Sequence, residues 1–443
     1  MSFASAAFTA KMHTVRRDSL HFLNELRRNE QLPRAELTDL ENQLAGDAVA
    51  FAMGNSPFYT RTYGALGVDP AEVVRAGAWE ELPVLDRTTV KEHAQEFPTG
   101  EAVGRAVRHG TTGGSTGEPL AVMHDTRVPT LSLAWRMYSW WGVTPWDNVA
   151  RLGRWGLGRR QQFLQELSWW PTKQVNLEAS LLTDESLAVF HDRVVRTRPK
   201  LIEGYMGAMI AYADFLERRH LSIPSPHAVA TTAAPLTTSA RAHLESTMGA
   251  PVYDEYRCAE FGWTAGECRE HHGLHVFSDV HRIEVLGPDG HPVADGEIGD
   301  ITITDLRNRV FPLIRYQTGD RGSLVGEPCP CGRPLPLMAA LDGRDSDVFH
   351  LPSGATLAHQ LNGLFASCPD AVRHFQIHQF ADYSIVVSVV PGTGPGARAR
   401  IEKAVDTLRV RTKGEAPVTV DYVDSLPYTG GKVKFVVSDV VTP

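Results

Sequence analysis

The chain has 443 residues, is 42% hydrophobic and 22% charged, and carries a formal net charge of -8. That length exceeds one ordinary core and predicts two or three domains, while the acidic balance argues against a nucleic-acid partner, which needs a concentrated basic face. With no bilayer-length apolar run, no signal peptide at MSFASAAFTAKMHTVRRDSL and only five cysteines, the expectation is a cytoplasmic protein with reduced thiols and no membrane association.

In chain order, LHFLNELRRNEQL and AELTDLENQLAGDAVAFAM read as helices. LPVLDRTTVKEHAQEF follows, with Asp86 placed to cap a third. From about residue 120, short apolar strands (PLAVMH, KLIEGY, HAVATTAAPL, PVYDEY) alternate with helical segments such as ESLAVFHDRVVRTR and TSARAHLESTMG. That alternation predicts an α/β architecture. Between about 276 and 326 the strands VFSDVHRIEVLG, ITITDL and PLIRYQTGDRGSLV predict an antiparallel β-rich subdomain. LDGRDSD is polar and turn-forming, which sets a boundary: a large N-terminal domain of mixed sheets and helices, 1–342, and a small mobile α+β C-terminal domain, 343–443. In the latter, HFQIHQFADYSIVVSVV reads as a hairpin and ARIEKAVDTLRVR as a helix with Ile401, Val405 and Leu408 on one face. PVTVDYVDSL is a further strand, and PYTGGKVKFVV a turn or hairpin bending at Gly430 and Gly431.

The segment HGTTGGSTGEP concentrates Thr111, Thr112, Gly113, Gly114, Ser115, Thr116 and Gly117. Glycines let backbone N–H groups approach an anion and the hydroxyls add donors, although an ordinary turn between strands has the same composition. It is not a P-loop: no Lys follows its last glycine, and it leads into a strand rather than a helix. TTGGSTGEP resembles the signature loop of the adenylate-forming superfamily, the acyl-CoA synthetases and peptide-synthetase adenylation domains. The resemblance implies that it holds the β- and γ-phosphates of ATP, with Leu120 standing where many members have Lys.

Further segments resemble the family in its order. TTAAPL, with Ala233, Ala234 and Pro235, resembles the backbone that lies against adenine. YDEYRCAEFG resembles the Tyr-Gly-x-Thr-Glu segment, which implies that Asp254 and Tyr256 contact the nucleotide and that Glu260 binds Mg²⁺. Arg257 and Ala259 replace the usual Gly and Thr there. YQTGD implies that Asp320 accepts from the ribose hydroxyls, and GRDSD resembles the interdomain hinge, with Arg344 on the nucleotide and Ser346 in place of the more usual Asp. Lys432, closing PYTGGK, falls where the family has its catalytic lysine. The chemistry agrees: a carboxylate attacking the α-phosphate brings two anions together, and Mg²⁺ on Glu260, the loop donors and the Lys432 ammonium would neutralise that charge.

GECREHHGLHVFSD and EPCPCGRPLP form a second constellation. One cysteine and one histidine from the first segment, with Cys329 and Cys331 from the second, would make a tetrahedral Cys₃His zinc site; by spacing alone His271, His272 and His275 all remain candidates. The arrangement resembles the phenylacetate–CoA ligase branch, and the resemblance points to Cys268, His275, Cys329 and Cys331 as ligands of a structural Zn²⁺. YSWWGVTPWD, GRWGLG, SWWPTK and GYMGAM lie where the family binds its acid, and their aromatic content favours an aromatic or planar acid.

The expectation is therefore an ATP- and Mg²⁺-dependent ligase that makes an acyl-AMP and passes the acyl group to a thiol, coenzyme A first. Its rivals are an amide-forming ligase, an ATP-dependent diazotase activating nitrite for an aryl amine, and a zinc-stabilised binding protein without catalysis. Retention of Glu260, Asp320, Arg344 and Lys432 together counts against the last. A homodimer stays open.

Overall fold

The computed structural model describes residues 3–69, 72, 78–111, 120–153, 159–179, 182–344, 349–353, 356–357, 361, 364–365, 367–426 and 434–440. Its contacts divide the chain into two units, the first made of Met1–Phe8, Gly142–Asp254 and Asp342–Pro443, the second of Thr9–Trp141 and Glu255–Leu341. Residues 342–443 thus fold in the same unit as 142–254.

In the first unit, Gln174–Glu178, Val149–Gly153, Leu201–Tyr205 and Ala228–Thr232 form a parallel sheet in that order. The first residues of Val252–Cys258 extend it, with Thr231 opposite Asp254. Helices separate these strands as the alternating pattern requires. Thr183 and Ser186 form a reciprocal capping box at the start of Asp184–Thr197. Thr238–Met248 is capped by the Thr237 hydroxyl and ends at Gly249 in the left-handed conformation.

The C-terminal segment of this unit forms a four-stranded sheet in the order Val418–Tyr422, Ile385–Pro391, Val372–Gln379, Val436–Ser438. Its two central strands are the expected antiparallel hairpin, and both outer strands pair in parallel. Ala397–Arg411 buries Ile401, Ala404, Val405 and Leu408. Val436–Ser438 lies at the edge opposite Val418–Tyr422, so those two strands are not partners in a hairpin. The helix Thr238–Met248 packs against Val372–Gln379. One apolar core runs from Phe190 and Leu216 through to Phe375 and Leu408.

The second unit carries the expected antiparallel sheet of His281–Leu286, Gly299–Asp305 and Tyr316–Gly322. A second sheet joins the end of Val252–Cys258 to Gly262–Glu267, Leu274–Val276, Leu337–Met338 and Leu324–Val325. Arg17–Asn29 and Arg34–Asn55 are the expected N-terminal helices, and Asp86 caps Arg87–Glu92 by accepting from the Thr89 N–H at 2.7 Å. Phe58 stacks on Phe97 at 4.3 Å, and Phe97 on Phe311 at 5.4 Å. Among the described residues no helix is long and apolar enough to cross a membrane.

Candidate nucleotide and metal sites

A short hairpin in the second unit frames the Thr/Ser/Gly loop. Val107–Thr111 pairs with Ala121–Asp125, and Thr111 stands opposite Ala121 with its side chain exposed. Thr112, Gly113, Gly114, Ser115, Thr116 and Gly117 lie outside the described residues. Leu120 is 1% exposed and part of the apolar core, a setting that suits an uncharged side chain. Gly110 is required by a close approach: a Cβ there would meet His124 Nε2 at 2.8 Å.

Tyr316–Gly322 carries the YQTGD carboxylate, Asp320, on the strand paired with Gly299–Asp305. Its register against Gly299–Asp305 shifts between Asp300 and Thr302, and Gly319 takes φ +76°. A glycine bulge of this kind redirects the side chain that follows it. Asp320 is buried, and its Oδ2 accepts from the Tyr256 hydroxyl at 2.9 Å; the same hydroxyl lies 3.4 Å from Thr318 Oγ1.

Glu260 is also buried. Its Oε1 accepts from the Tyr316 hydroxyl at 3.3 Å and lies 3.9 Å from Arg87 Nη1. Burial, reinforced by the Asp320 charge, raises the Glu260 carboxyl above its usual range, against its own N–H, Tyr316 and Arg87. A buried carboxylate facing a second one is a fitting place for a divalent cation, whose charge would relieve both. The departure at Arg257 has a local explanation: its guanidinium bonds Glu255 at 3.0 Å and lies 4.3 Å over the Trp263 ring.

Two neighbours of this cluster escaped the sequence reading. Arg87 looks like an ordinary first-turn helix residue. His124 ends the strand PLAVMH, yet a strand histidine carries no spacing signal. Burial and then the Arg108 charge push its imidazole down to about 4, against a hydrogen bond with the Ala259 backbone. It lines a small cavity with Asp125, Phe261, His281, Asp305 and Asn308.

The first unit holds the other candidates. Ala233, directly after Ala228–Thr232, adopts φ +71°, a left-handed conformation that a non-glycine residue rarely takes; it is exposed, and Ala234 and Pro235 are half-buried. Asp254 is buried at its strand. Gly343–Arg344 forms a short strand, but the Arg344 side chain lies outside the described residues, as do Ser346, Gly430, Gly431 and Lys432.

Four of the six Cys and His candidates converge in the second unit. Leu337 pairs with His275, which sets the turn containing Cys329 and Cys331 beside Leu274–Val276. Cys268 Sγ lies 3.6 Å from Cys329 Sγ, and Cys331 Sγ 3.3 Å from His275 Nε2. All four ligand atoms fall within 4.8 Å of one another, and three of the four residues are buried. These separations suit a tetrahedral ion, whose ligand atoms stand about 3.3–3.8 Å apart for N and S donors. His271 turns away to Glu267 at 3.1 Å, and His272 is exposed.

Part of the aromatic concentration assigned to an acid pocket instead packs around this cluster. The Trp140 ring meets His275 edge-on at 5.3 Å and carries Arg333 at 4.8 Å, while its N–H donates to Glu30 at 2.9 Å. Trp141 donates to the Glu267 carbonyl at 2.8 Å. Both indoles are core residues with their polar ends satisfied.

No protein-family model matches the chain. Phenylacetate–coenzyme A ligase of Thermus thermophilus is 27% identical over 361 residues, 79% of each chain. The Escherichia coli phenylacetate–coenzyme A ligase is 23% identical over 365 residues, 77% of this chain and 79% of its own. A solved structure of 2-hydroxyisobutyryl-CoA ligase, in the postadenylation state with R3-HIB-AMP, matches with a TM-score of 0.76 over 93% of this chain and 92% of its own. At 20% identity that likeness is one of fold. Together these findings place the chain among the AMP-forming acid–thiol ligases of the adenylate-forming superfamily. Within it, the chain's sequence relatives are phenylacetate–coenzyme A ligases, the branch it resembles.

Proposed function

We propose that the protein activates a carboxylic acid with ATP as an acyl-AMP, releasing pyrophosphate, and transfers the acyl group to a thiol, coenzyme A first. The observation that carries this reading is the buried pairing of Asp320 with Tyr256 beside Glu260 and Tyr316, four residues from two separate motifs brought to one cluster. Asp320 would accept from the ribose hydroxyls, Tyr256 would flank the adenine, and Ala233, Ala234, Pro235 and Asp254 would line the base. Thr111 to Gly117 would hold the outer phosphates through N–H and hydroxyl donors. Glu260 would hold Mg²⁺, which supplies positive charge to the phosphates. Cys268, His275, Cys329 and Cys331 would hold a structural Zn²⁺ with no open position. An aromatic acid is the first candidate, since the sequence relatives are phenylacetate ligases; a cytoplasmic setting suits five free cysteines.

The test is a panel of acids read by pyrophosphate release, first without an acceptor and then with coenzyme A, a carrier protein or an amine. Release that requires an acid, followed by consumption of the coenzyme A thiol, is the expected result. Acid-independent ATP turnover, or transfer to the amine alone, would overturn it.

We assign the adenylation step's mobile cation to Lys432, with the segment 343–443 acting as a small domain that turns at the hinge near Ser346. Lys432→Ala should then slow acyl-AMP formation by roughly 10²-fold or more with little change in ATP affinity, because the ammonium acts on the transition state. A synthetic acyl-AMP should still pass to the thiol at near wild-type rate. Equal loss of both half-reactions would give the lysine a structural role instead.

A further inference from the structure

Inside the first unit, the helix Met206–Arg218, the helix Thr238–Met248 and the strand Val372–Gln379 bring three side chains to one point. His243 Nε2 lies 3.0 Å from Asp214 Oδ1, and His374 Nε2 lies 3.6 Å from Asp214 Oδ2. The three ligand atoms fall within 4.8 Å of one another. The two imidazoles stand nearly perpendicular, at 85° with centroids 5.5 Å apart, so their nitrogens converge while their rings do not stack.

We propose that Asp214, His243 and His374 form a further metal site, for a divalent ion of the zinc class, that clamps the C-terminal sheet to the helices at 206–248. The donor set is two imidazole nitrogens and a carboxylate, the three-protein-ligand pattern that zinc accepts with water in the fourth position. Ligand atoms around a tetrahedral ion with bonds of ~2.0–2.1 Å stand about 3.3 Å apart, within the 4.8 Å that encloses these three ligand atoms. Without the ion, the 3.0 Å contact between His243 and Asp214 is a hydrogen bond.

The surroundings have the form of an outer shell. Glu217 Oε1 lies 3.7 Å from His243 Nδ1, so a carboxylate faces the ring nitrogen turned away from the ion. At that distance the carboxylate acts on the ring by its charge, which favours a proton on Nδ1 over one on Nε2. Arg373 pairs with Glu217 and anchors it from the strand next to His374. His243 and His374 are 5% and 3% exposed at the side chain and Asp214 19%, so the carboxylate is the member that solvent reaches.

The ion would tie residue 374 to residues 214 and 243, holding the C-terminal segment as it stands here, and would have to release before that segment turns near Ser346. It is distinct from the cysteine set, which belongs to the second unit.

The experiment uses the full chain, stripped with a chelator and titrated with Zn²⁺ by calorimetry and elemental analysis. Co²⁺ serves as a second probe, because thiolate-to-cobalt absorption arises only from a cysteine set. Asp214→Asn and His374→Gln should each take up about one Zn²⁺ less than the unmodified chain, with the thiolate–cobalt band unchanged. Zinc should also slow proteolytic release of the C-terminal segment in the unmodified chain and not in these variants. Equal Zn²⁺ uptake by all three chains would overturn the site, leaving a hydrogen-bonded trio. Should both variants fail to fold, Glu217→Gln, at a half-exposed residue, carries the test. It should weaken this one binding event by about 10-fold or more, and unchanged affinity would overturn the proposal.

Discussion

The second unit contains two buried constellations built on opposite plans. Around Asp320 and Glu260, two carboxylates sit among phenol and hydroxyl donors, with burial holding Glu260 toward its neutral form. Around Cys268, His275, Cys329 and Cys331, soft donors face one another within 4.8 Å. The carboxylates have hydrogen-bond partners, and Glu260 is held above its usual range; the thiols meet one another and an imidazole. A group of the first kind gains when a charged ligand arrives and persists when it leaves. A group of the second kind is completed by one ion and has no other task.

The largest effect that follows is on folding. Cys329→Ser should lose about one zinc per chain, lower the yield of soluble protein and bring forward heat unfolding, a loss on the order of several kcal/mol. Metal content and a thermal scan of the same preparation check this; a metal-free protein of unchanged stability would erase the contrast. Next comes a kinetic effect with no loss of folding. Glu260→Gln should slow pyrophosphate release by roughly 10²-fold, with the deficit concentrated in the Mg²⁺-dependent first step. Zinc content should stay as in the unmodified chain.

A smaller effect is expected on binding. Asp320→Ala should weaken ATP and AMP alike by roughly 10-fold, since a hydrogen bond to a charged group contributes about 1.5–3 kcal/mol and both nucleotides carry the ribose. Calorimetry showing ATP bound as tightly as before would detach YQTGD from the nucleotide. The smallest effect is a pH dependence. Because the folded protein holds Glu260 above the ordinary carboxylate value of 4.5, both states are protonated below that value and no penalty arises. As pH rises from that value toward the higher folded value, the unfolded state ionises while the folded one stays protonated, so stability falls, levelling off once both states are ionised. Glu260→Gln cannot ionise, so its stability should improve against the unmodified chain with rising pH in paired denaturant titrations. A difference that shrinks instead would place the carboxylate in a favourable ionised state.

The contrast extends to what the sequence discloses. The cysteine set is readable because its ligands lie in two short segments, and a two-strand pairing converts that spacing into a cluster. TGD is readable because the bulge it forms needs glycine at one position. Strands, helices and the Asp86 cap follow from periodicity and end signals, which are local. Asp214, His243 and His374 each look like an ordinary helix or strand residue, and only the docking of Thr238–Met248 on Val372–Gln379 makes them neighbours. Trp140 and Trp141 mislead for the same reason: aromatic content is visible in a sequence, but what the ring packs against is not.

The backbone at Ala233 has a consequence for how the adjoining segment behaves. Alanine's left-handed basin is narrow, where glycine would roam over most of both halves of the map. Holding it there costs about 1 kcal/mol or more, a tension stored in the native state and supported by the buried strand before it. The return on that tension is low configurational freedom: the peptide planes on either side of Ala233 point in fixed directions before any ligand arrives. A flat, hydrogen-bonding guest would therefore meet a surface that is already set, and little order would remain to be created on contact.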